Sequence, residues 1–265
     1  MPVRALEFNP NKKNLLASGG SEVLIQDIGQ NLKKPQQFKP GEPNFHEGHA
    51  ITAISWNRGV NHILASASEN GKIVVWDLKQ SKSIFQFTEP TSQSTYEFDN
   101  YYGDNSEQQA PQAKRMQMIW NPDIPLQFVV ANDEDSMFNI WDLRKTAYPV
   151  ATFKNIHTAG ILSVSWCPSD SNLVLSSAKD NRTVVSNFKT GEVVMEFPTD
   201  TGYDKLAWSS KLHGRIAAME AETGNVSVLS YQPQKALDES QSEAGFATPE
   251  ISPSTGEAYA PKWLN

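Results

Sequence analysis

The 265-residue chain contains a single cysteine, Cys167. One thiol closes no intramolecular disulfide, so the chain reads as built for a reducing compartment such as the cytosol. The lone thiol also removes any cysteine cluster as a metal site, and the five histidines, at 46, 49, 62, 157 and 213, include no pair at the spacing of a zinc helix. No stretch approaches the 18 or so apolar residues of a membrane-spanning helix. The amino-terminal run MPVRALEFNPNKK has no apolar core and is not a secretory signal. Positive charge is in the minority: 23 Lys and Arg stand against 30 Asp and Glu, a net charge of −7 that argues against nucleic acid as a partner. There is no glycine-rich phosphate loop and no G-x-S-x-G elbow. The carboxylates fall at loop tips, where solvation is the default. These absences leave no catalytic, metal or cofactor constellation, and the chain is read as non-enzymatic.

What is present is a repeat. The stretch 46–87 holds four short runs: Ile51 to Trp56, Ile63 to Ser66, Ile73 to Asp77 and Ile84 to Phe87. They are rich in β-branched residues and bounded by Gly, Asn and Ser, so they read as strands. A Gly48-His49 pair opens the unit and Trp76-Asp77 closes its third strand. That is the pattern of one four-stranded blade of a WD-repeat propeller. Ile73-Val74-Val75 has no polar face, which suits a strand buried between neighbouring blades. Such a blade predicts a polar chain: His49 bonds Ser66, and the Ser66 hydroxyl reaches the Trp76 indole. The turn position that normally carries an acid is here Asn70, so this chain is neutral. His49 is thus read as structural, in preference to catalytic, because buried polar groups must be paired.

The aromatic that ends each first strand recurs at Phe8, Trp56, Trp120, Trp166 and Trp208, at intervals of 48, 64, 46 and 42 residues. Three of the four lie near the roughly 40–45-residue period of WD repeats. The units fall near 2–38, 46–87, 116–153, 157–197 and 203–231, giving an all-β chain with four complete blades and a fifth of three strands. In the first unit Gln26 replaces the tryptophan, and the Pro-rich run 33–45 reads as a surface loop. In the third, Asp135 stands six residues before Trp141, placing an acid at the turn. In the fourth, His157 precedes the first strand, Asp180 keeps the turn acid, and Ser186-Asn187 stands where Trp-Asp would be.

Two segments break the repeat. Residues 88–115 form an acidic, Gln-, Ser- and Asn-rich insertion, read as a disordered loop. Its cluster Tyr96, Phe98, Tyr101 and Tyr102 among acids offers the alternative of a short linear partner motif. Residues 232–265 form a Ser-, Pro- and Glu-rich tail, also read as disordered, ending on Trp263 as a further partner-motif candidate.

The runs PVRALEFNPNKKNLLASGGSEVLIQDI, ISWNRGVNHILASASENGKIVVWDL and HTAGILSVSWCPSDSNLVLSSAKDNRTVVSNFKTGEVVMEFPT together resemble the larger outer-cage subunit of the COPII vesicle coat. The fourth unit is the most specific match: Ser186-Asn187 in place of Trp-Asp, then Thr190-Gly191-Glu192. The resemblance covers residues 2–230 and the Ala260 to Leu264 end. It implies a scaffold role in endoplasmic reticulum to Golgi vesicle transport, a cytoplasmic place at endoplasmic reticulum exit sites and COPII vesicles, and membrane contact only through the coat. The partners it implies are the smaller WD-repeat outer-coat subunit and the inner COPII coat. That family's plan is a seven-bladed propeller, a segment completing the smaller subunit's propeller, an α-solenoid and a Pro-rich region. Set against it, the chain is expected to start at the third blade and to stop before the inserting segment, as an incomplete part of the propeller. A stand-alone WD-repeat adaptor, such as a ubiquitin-ligase substrate receptor with its docking motif in the insertion or tail, is the alternative.

Overall fold

The computed structural model describes residues 2–29, 36–38, 46, 48–90 and 113–232, with the backbone alone for 36–38. Every described element is a strand, and the strands form five separate antiparallel sheets. The first sheet is β1 (Ala5–Phe8), β2 (Leu15–Gly19), β3 (Val23–Asp27) and β4 (Gln36–Phe38). The second is β5 (Ile51–Trp56), β6 (Ile63–Ser68), β7 (Lys72–Asp77) and β8 (Lys82–Thr88). The third is β9 (Met116–Trp120), β10 (Gln127–Asn132), β11 (Phe138–Asp142) and β12 (Ala151–Phe153). The fourth is β13 (Ile161–Trp166), β14 (Leu173–Ala178), β15 (Thr183–Asn187) and β16 (Val193–Phe197). The fifth has three strands, β17 (Tyr203–Trp208), β18 (Arg215–Glu220) and β19 (Val226–Ser230). In each sheet sequential strands are spatial neighbours. This is an all-β WD40 β-propeller architecture of five blades.

The core lies between blades. Ala17, Val23 and Ile25 of the first blade pack with Ile51, Trp56, Leu64, Val74 and Trp76 of the second. The other face of the second blade, with Ile73 and Val75, packs on Met116, Trp120, Phe128 and Trp141 of the third. Blades three and four, then four and five, repeat the arrangement. A strand sandwiched this way is apolar on both faces, which is why Ile73-Val74-Val75 does not alternate. Close approach is enforced at Gly19, where an added Cβ would stand 2.7 Å from Ile51 Cγ2, and at Gly160, where it would collide with the Asp133 carbonyl.

Among the described residues, nothing covers the outer faces of the end blades. Leu6 is 61% exposed and Phe8 51%, while Val226 and Val228 are about 70% exposed. Val23 and Ile25 of the same blade are buried, because they stand on the alternate pleat, facing blade two.

Two segment boundaries differ from expectation. Gln36–Phe38, inside the run read as a surface loop, pairs with β3 as the fourth strand. The insertion read as 88–115 is narrower. Thr88 belongs to β8, Glu89 is buried, and the Lys114 amide bonds the Glu69 carbonyl at 2.9 Å. Backbone pairing to blade two orders both flanks. Residues 91–112 lie outside the described residues, as do Tyr96, Phe98, Tyr101, Tyr102 and Trp263.

Candidate functional site

The recurring Asn and Asp residues make the turns. Asn9, Asn57 and Asn121 each follow a first strand, and each side-chain oxygen accepts the amides two and three residues on. These are Asx turns, a local alternative to backbone pairing that ends a strand. Two of these side chains cross to the next blade: Asn9 Nδ2 donates to the Asn61 carbonyl and Asn57 Nδ2 to the Pro125 carbonyl. Asp77 of the Trp-Asp pair closes the turn after β7 in the same way, accepting from the amides of Lys79 and Gln80. Asn187 accepts from Lys189 and Thr190. The fourth unit therefore keeps the turn chemistry of Trp-Asp while losing the tryptophan.

The first-strand tryptophans join blades. Trp56 Nε1 donates to the Glu7 carbonyl and Trp120 Nε1 to the Ser55 carbonyl, both at 3.0 Å. Each acceptor precedes the aromatic that ends the neighbouring first strand. Trp166 instead reaches the Ser171 carbonyl within its own blade.

In blade two the polar chain forms on His46, not on His49. His46 Nε2 lies 3.0 Å from Ser66 Oγ and Nδ1 lies 2.8 Å from Ser68 Oγ. Trp76 Nε1 donates to Ser66 Oγ at 2.8 Å, and the Ser68 hydroxyl reaches Asn70 Oδ1 at 2.6 Å. One assignment of protons satisfies every link: indole N–H to Ser66, Ser66 hydroxyl to Nε2, Nδ1–H to Ser68, Ser68 hydroxyl to Asn70. It requires a neutral imidazole. Burial, helped by Lys72, pushes the His46 pKa down to about 4. His49 is partly exposed and stands 3.6 Å from the Glu69 carboxylate. The turn decides between the two: the His49 amide bonds the His46 carbonyl, and Gly48 takes the left-handed φ of 78° that the turn requires. His46 then faces inward and His49 outward.

In blade three Asp135 is buried, and its Oδ1 accepts the Met137 amide at 3.3 Å. The Trp141 indole goes elsewhere. It donates to Glu89 Oε2 at 2.6 Å, while Asn139 Nδ2 donates to Glu89 Oε1 at 2.7 Å. The reason lies in the third unit: it has no histidine, and Val130 occupies the position of Ser66. The carboxylate at the end of β8 fills both vacancies. Burial pushes the Glu89 pKa up to about 8 against the pull of these two donors, and Asp135 adds to the rise. Nothing in the local sequence marked Glu89; only the absence of a histidine in this unit hinted that the indole needed another acceptor.

In blade four His157 and Asp180 meet, with Nδ1 3.2 Å from both carboxylate oxygens, and Nε2 lies 2.9 Å from Ser176 Oγ. Asp180 also accepts the amides of Thr158 and Arg182. Burial lowers the His157 pKa while Asp180 pulls the other way. Ser186 Oγ, at the tryptophan position, is buried with no partner among the described residues.

The WD domain, G-beta repeat family matches residues 42–77 and 147–185. The protein transport protein SEC31 of Dictyostelium discoideum is 36% identical over 199 residues, spanning 74% of this chain and 13% of its own length. Protein transport protein Sec31A of Homo sapiens is 33% identical over 263 residues, 94% of this chain and 19% of its own. This chain is a Sec31 homologue. It spans under a fifth of the length of these two Sec31 relatives. A chain in the structure of COPII on membranes, outer coat vertex, superposes with a TM-score of 0.71 at 24% identity, covering 96% of this chain and 64% of that one. The likeness to that chain is one of fold. The Sec31 relatedness itself rests on sequence, extending through all five blades.

Proposed function

We propose that this chain is a non-catalytic scaffold element of a COPII outer coat, acting in endoplasmic reticulum to Golgi transport. The observation that carries the reading is the 33% identity to human Sec31A across 94% of the chain. The geometry agrees with it. The buried titratable groups His46, Glu89 and His157 are consumed in polar chains that join strands or blades, so they hold the fold and are not aimed at a substrate. In this reading 1–231 is the propeller portion, 232–265 lies beyond it, and the chain works at endoplasmic reticulum exit sites through protein partners: the smaller WD-repeat outer-coat subunit and the inner coat. Tyr96, Phe98, Tyr101, Tyr102 and Trp263 are the candidate partner-contact positions. The test is to express the tagged chain in its own cells, image it against an exit-site marker, and identify co-purifying proteins by mass spectrometry. Enrichment at exit sites with outer-coat subunits is expected. A diffuse distribution with ubiquitin-ligase subunits co-purifying would replace this reading with the adaptor.

A further inference from the structure

A cavity of about 370 Å³ opens where the inner strands of the blades converge. Its walls come from both ends of the described chain: Arg4 beside β1, Thr52 in β5, Lys114 and Arg115 before β9, Asp133 after β10, and Lys205 in β17. Four of these six side chains are cationic and one is anionic, in a chain whose net charge is −7. The local charge thus runs against the charge of the whole.

The inner strands are shaped to build this mouth. Three of them shift register at the same place, between Ile51 and Ala53, Ile161 and Ser163, and Tyr203 and Lys205. Each shift leaves one extra residue, Thr52, Leu162 or Asp204, and a bulge of this kind re-aims a residue out of the ladder. All three are tied to the segment carrying Lys114 and Arg115. Thr52 Oγ1 accepts the Met116 amide, Arg115 Nη2 donates to the Leu162 carbonyl, and Arg115 Nη1 pairs with Asp204 at 2.5 Å. Arg115 is thereby fixed in place, and its Nε is buried without a partner among the described residues. Arg4 spends one nitrogen on Glu69.

Lys114 and Lys205 are different. Neither has an ion pair among the described residues, and both are partly desolvated, which lowers their pKa values. Arg115 lowers Lys205 further, while Asp204 pulls it the other way. The charges of Asp135, Glu89 and Glu134 pull Lys114 the other way, yet desolvation prevails and the shift stays downward. Gathering four cations, two of them partly desolvated lysines with no ion pair of their own among the described residues, around one lining carboxylate is unfavourable unless an anion completes the site.

We propose that this cavity is an anion site for a phosphate monoester or polyphosphate group, with Lys114 and Lys205 as its free donors, Arg4 adding the nitrogens that Glu69 leaves, and Arg115 as its fixed wall. Lysine ammonium groups and a multiply charged phosphate form charge-assisted hydrogen bonds. The volume admits a small phosphorylated molecule or one headgroup, not a polymer.

The test uses the full chain and inorganic pyrophosphate as probe, titrated calorimetrically at fixed ionic strength with chloride as the balancing anion. Saturable one-to-one binding is expected. Lys114→Ala with Lys205→Ala should weaken it about tenfold or more, as losing two charge-assisted contacts does. Asp133→Asn should tighten it several-fold, because it removes the one carboxylate of the lining and keeps an oxygen for the Arg115 amide. A purely structural role for Asp133 would not produce a gain. Circular dichroism melting verifies that each variant folds. Flotation with vesicles bearing phosphoinositide headgroups distinguishes a lipid source from a free one: a lipid ligand floats the chain, a soluble one does not. Absence of saturable pyrophosphate binding to millimolar concentration together with no flotation, or binding unchanged in the double lysine variant, overturns the proposal. These readouts require no coat partner, so their failure is separate from failure of the coat reading.

Discussion

His46 is held between two hydroxyls, and both its nitrogens are engaged. Replacing it with alanine removes the acceptor of the Ser66 hydroxyl proton and the donor to Ser68 in a buried place, while Trp76 and Asn70 keep their links, at a cost of about 1–3 kcal/mol. His49 sits at the surface with a loose carboxylate neighbour, where substitutions stay within about 0.5 kcal/mol. Urea unfolding should therefore show His46→Ala clearly destabilised and His49→Ala near wild type. Equal loss in both would return the polar chain to His49. Acid should act on the same residue. The pKa of His46 is about 4 in the folded chain against 6.5 for an unperturbed histidine, so between those values the unfolded chain binds more protons. The stability from the neutral imidazole is complete above pH 6.5 and is lost as pH falls toward 4, by at most about 1.4 kcal/mol per pH unit. His157 is shifted the same way and adds to the trend. The carboxyls of Glu89 and Glu7 are shifted up by desolvation and work against this trend over the upper part of the window, so the sign is read as a difference: as pH falls from 6.5 to 4, the wild-type denaturation midpoint should fall relative to that of His46→Asn.

At the scale of strands and turns, the repeat was legible because its chemistry is local. Runs of β-branched residues, Asn after three of the five first-strand aromatics, and the Asp of Trp-Asp all act within a few residues of themselves. Asn187 shows the benefit: it keeps the Asx turn when tryptophan is lost, so the fourth blade was readable despite a broken signature. The polar chains were less legible because their members come from different elements. Two histidines three residues apart satisfy the same pattern, and only the turn at Gly48 chooses between them. Glu89 was invisible, since a carboxylate just past a strand is ordinarily solvated. Its burial predicts the opposite pH behaviour to His46. With a folded pKa near 8 against 4.5 unperturbed, the folded chain binds more protons between those values. Its contribution is complete below pH 4.5 and is lost as pH rises through 8. Between pH 6.5 and 8 the histidine effect is spent, so stability should decline with rising pH in the wild type. Glu89→Gln, which cannot ionise, should flatten that decline. An identical slope in both proteins would mean Glu89 does not titrate there.

At the scale of the whole molecule, burial is complete between blades and absent beyond the end ones. Leu6 and Phe8 on the first blade share a face with Leu24, and Val226 and Val228 on the fifth share one with Ala207 and Ala217. Each face is the surface that, one blade further in, forms a core such as that of Val23, Ile25 and Trp76. Exposed apolar surface of this extent drives association. The two faces are not alike, so contact between them in separate copies is heterologous and does not close on a two-fold axis. Among the described residues β19 is an edge strand, whose outer backbone groups have no neighbouring strand. The purified chain should therefore self-associate at micromolar concentration, with a light-scattering mass that rises with concentration and not a fixed dimer. Leu6→Glu and Val228→Glu place a charge at the centre of each face and leave the inter-blade cores untouched. Either alone should lower the mass, and both together should give a monomer with an unchanged thermal transition. A wild-type monomer over the same range would mean that these faces are covered within a single copy, by segments beyond the described residues.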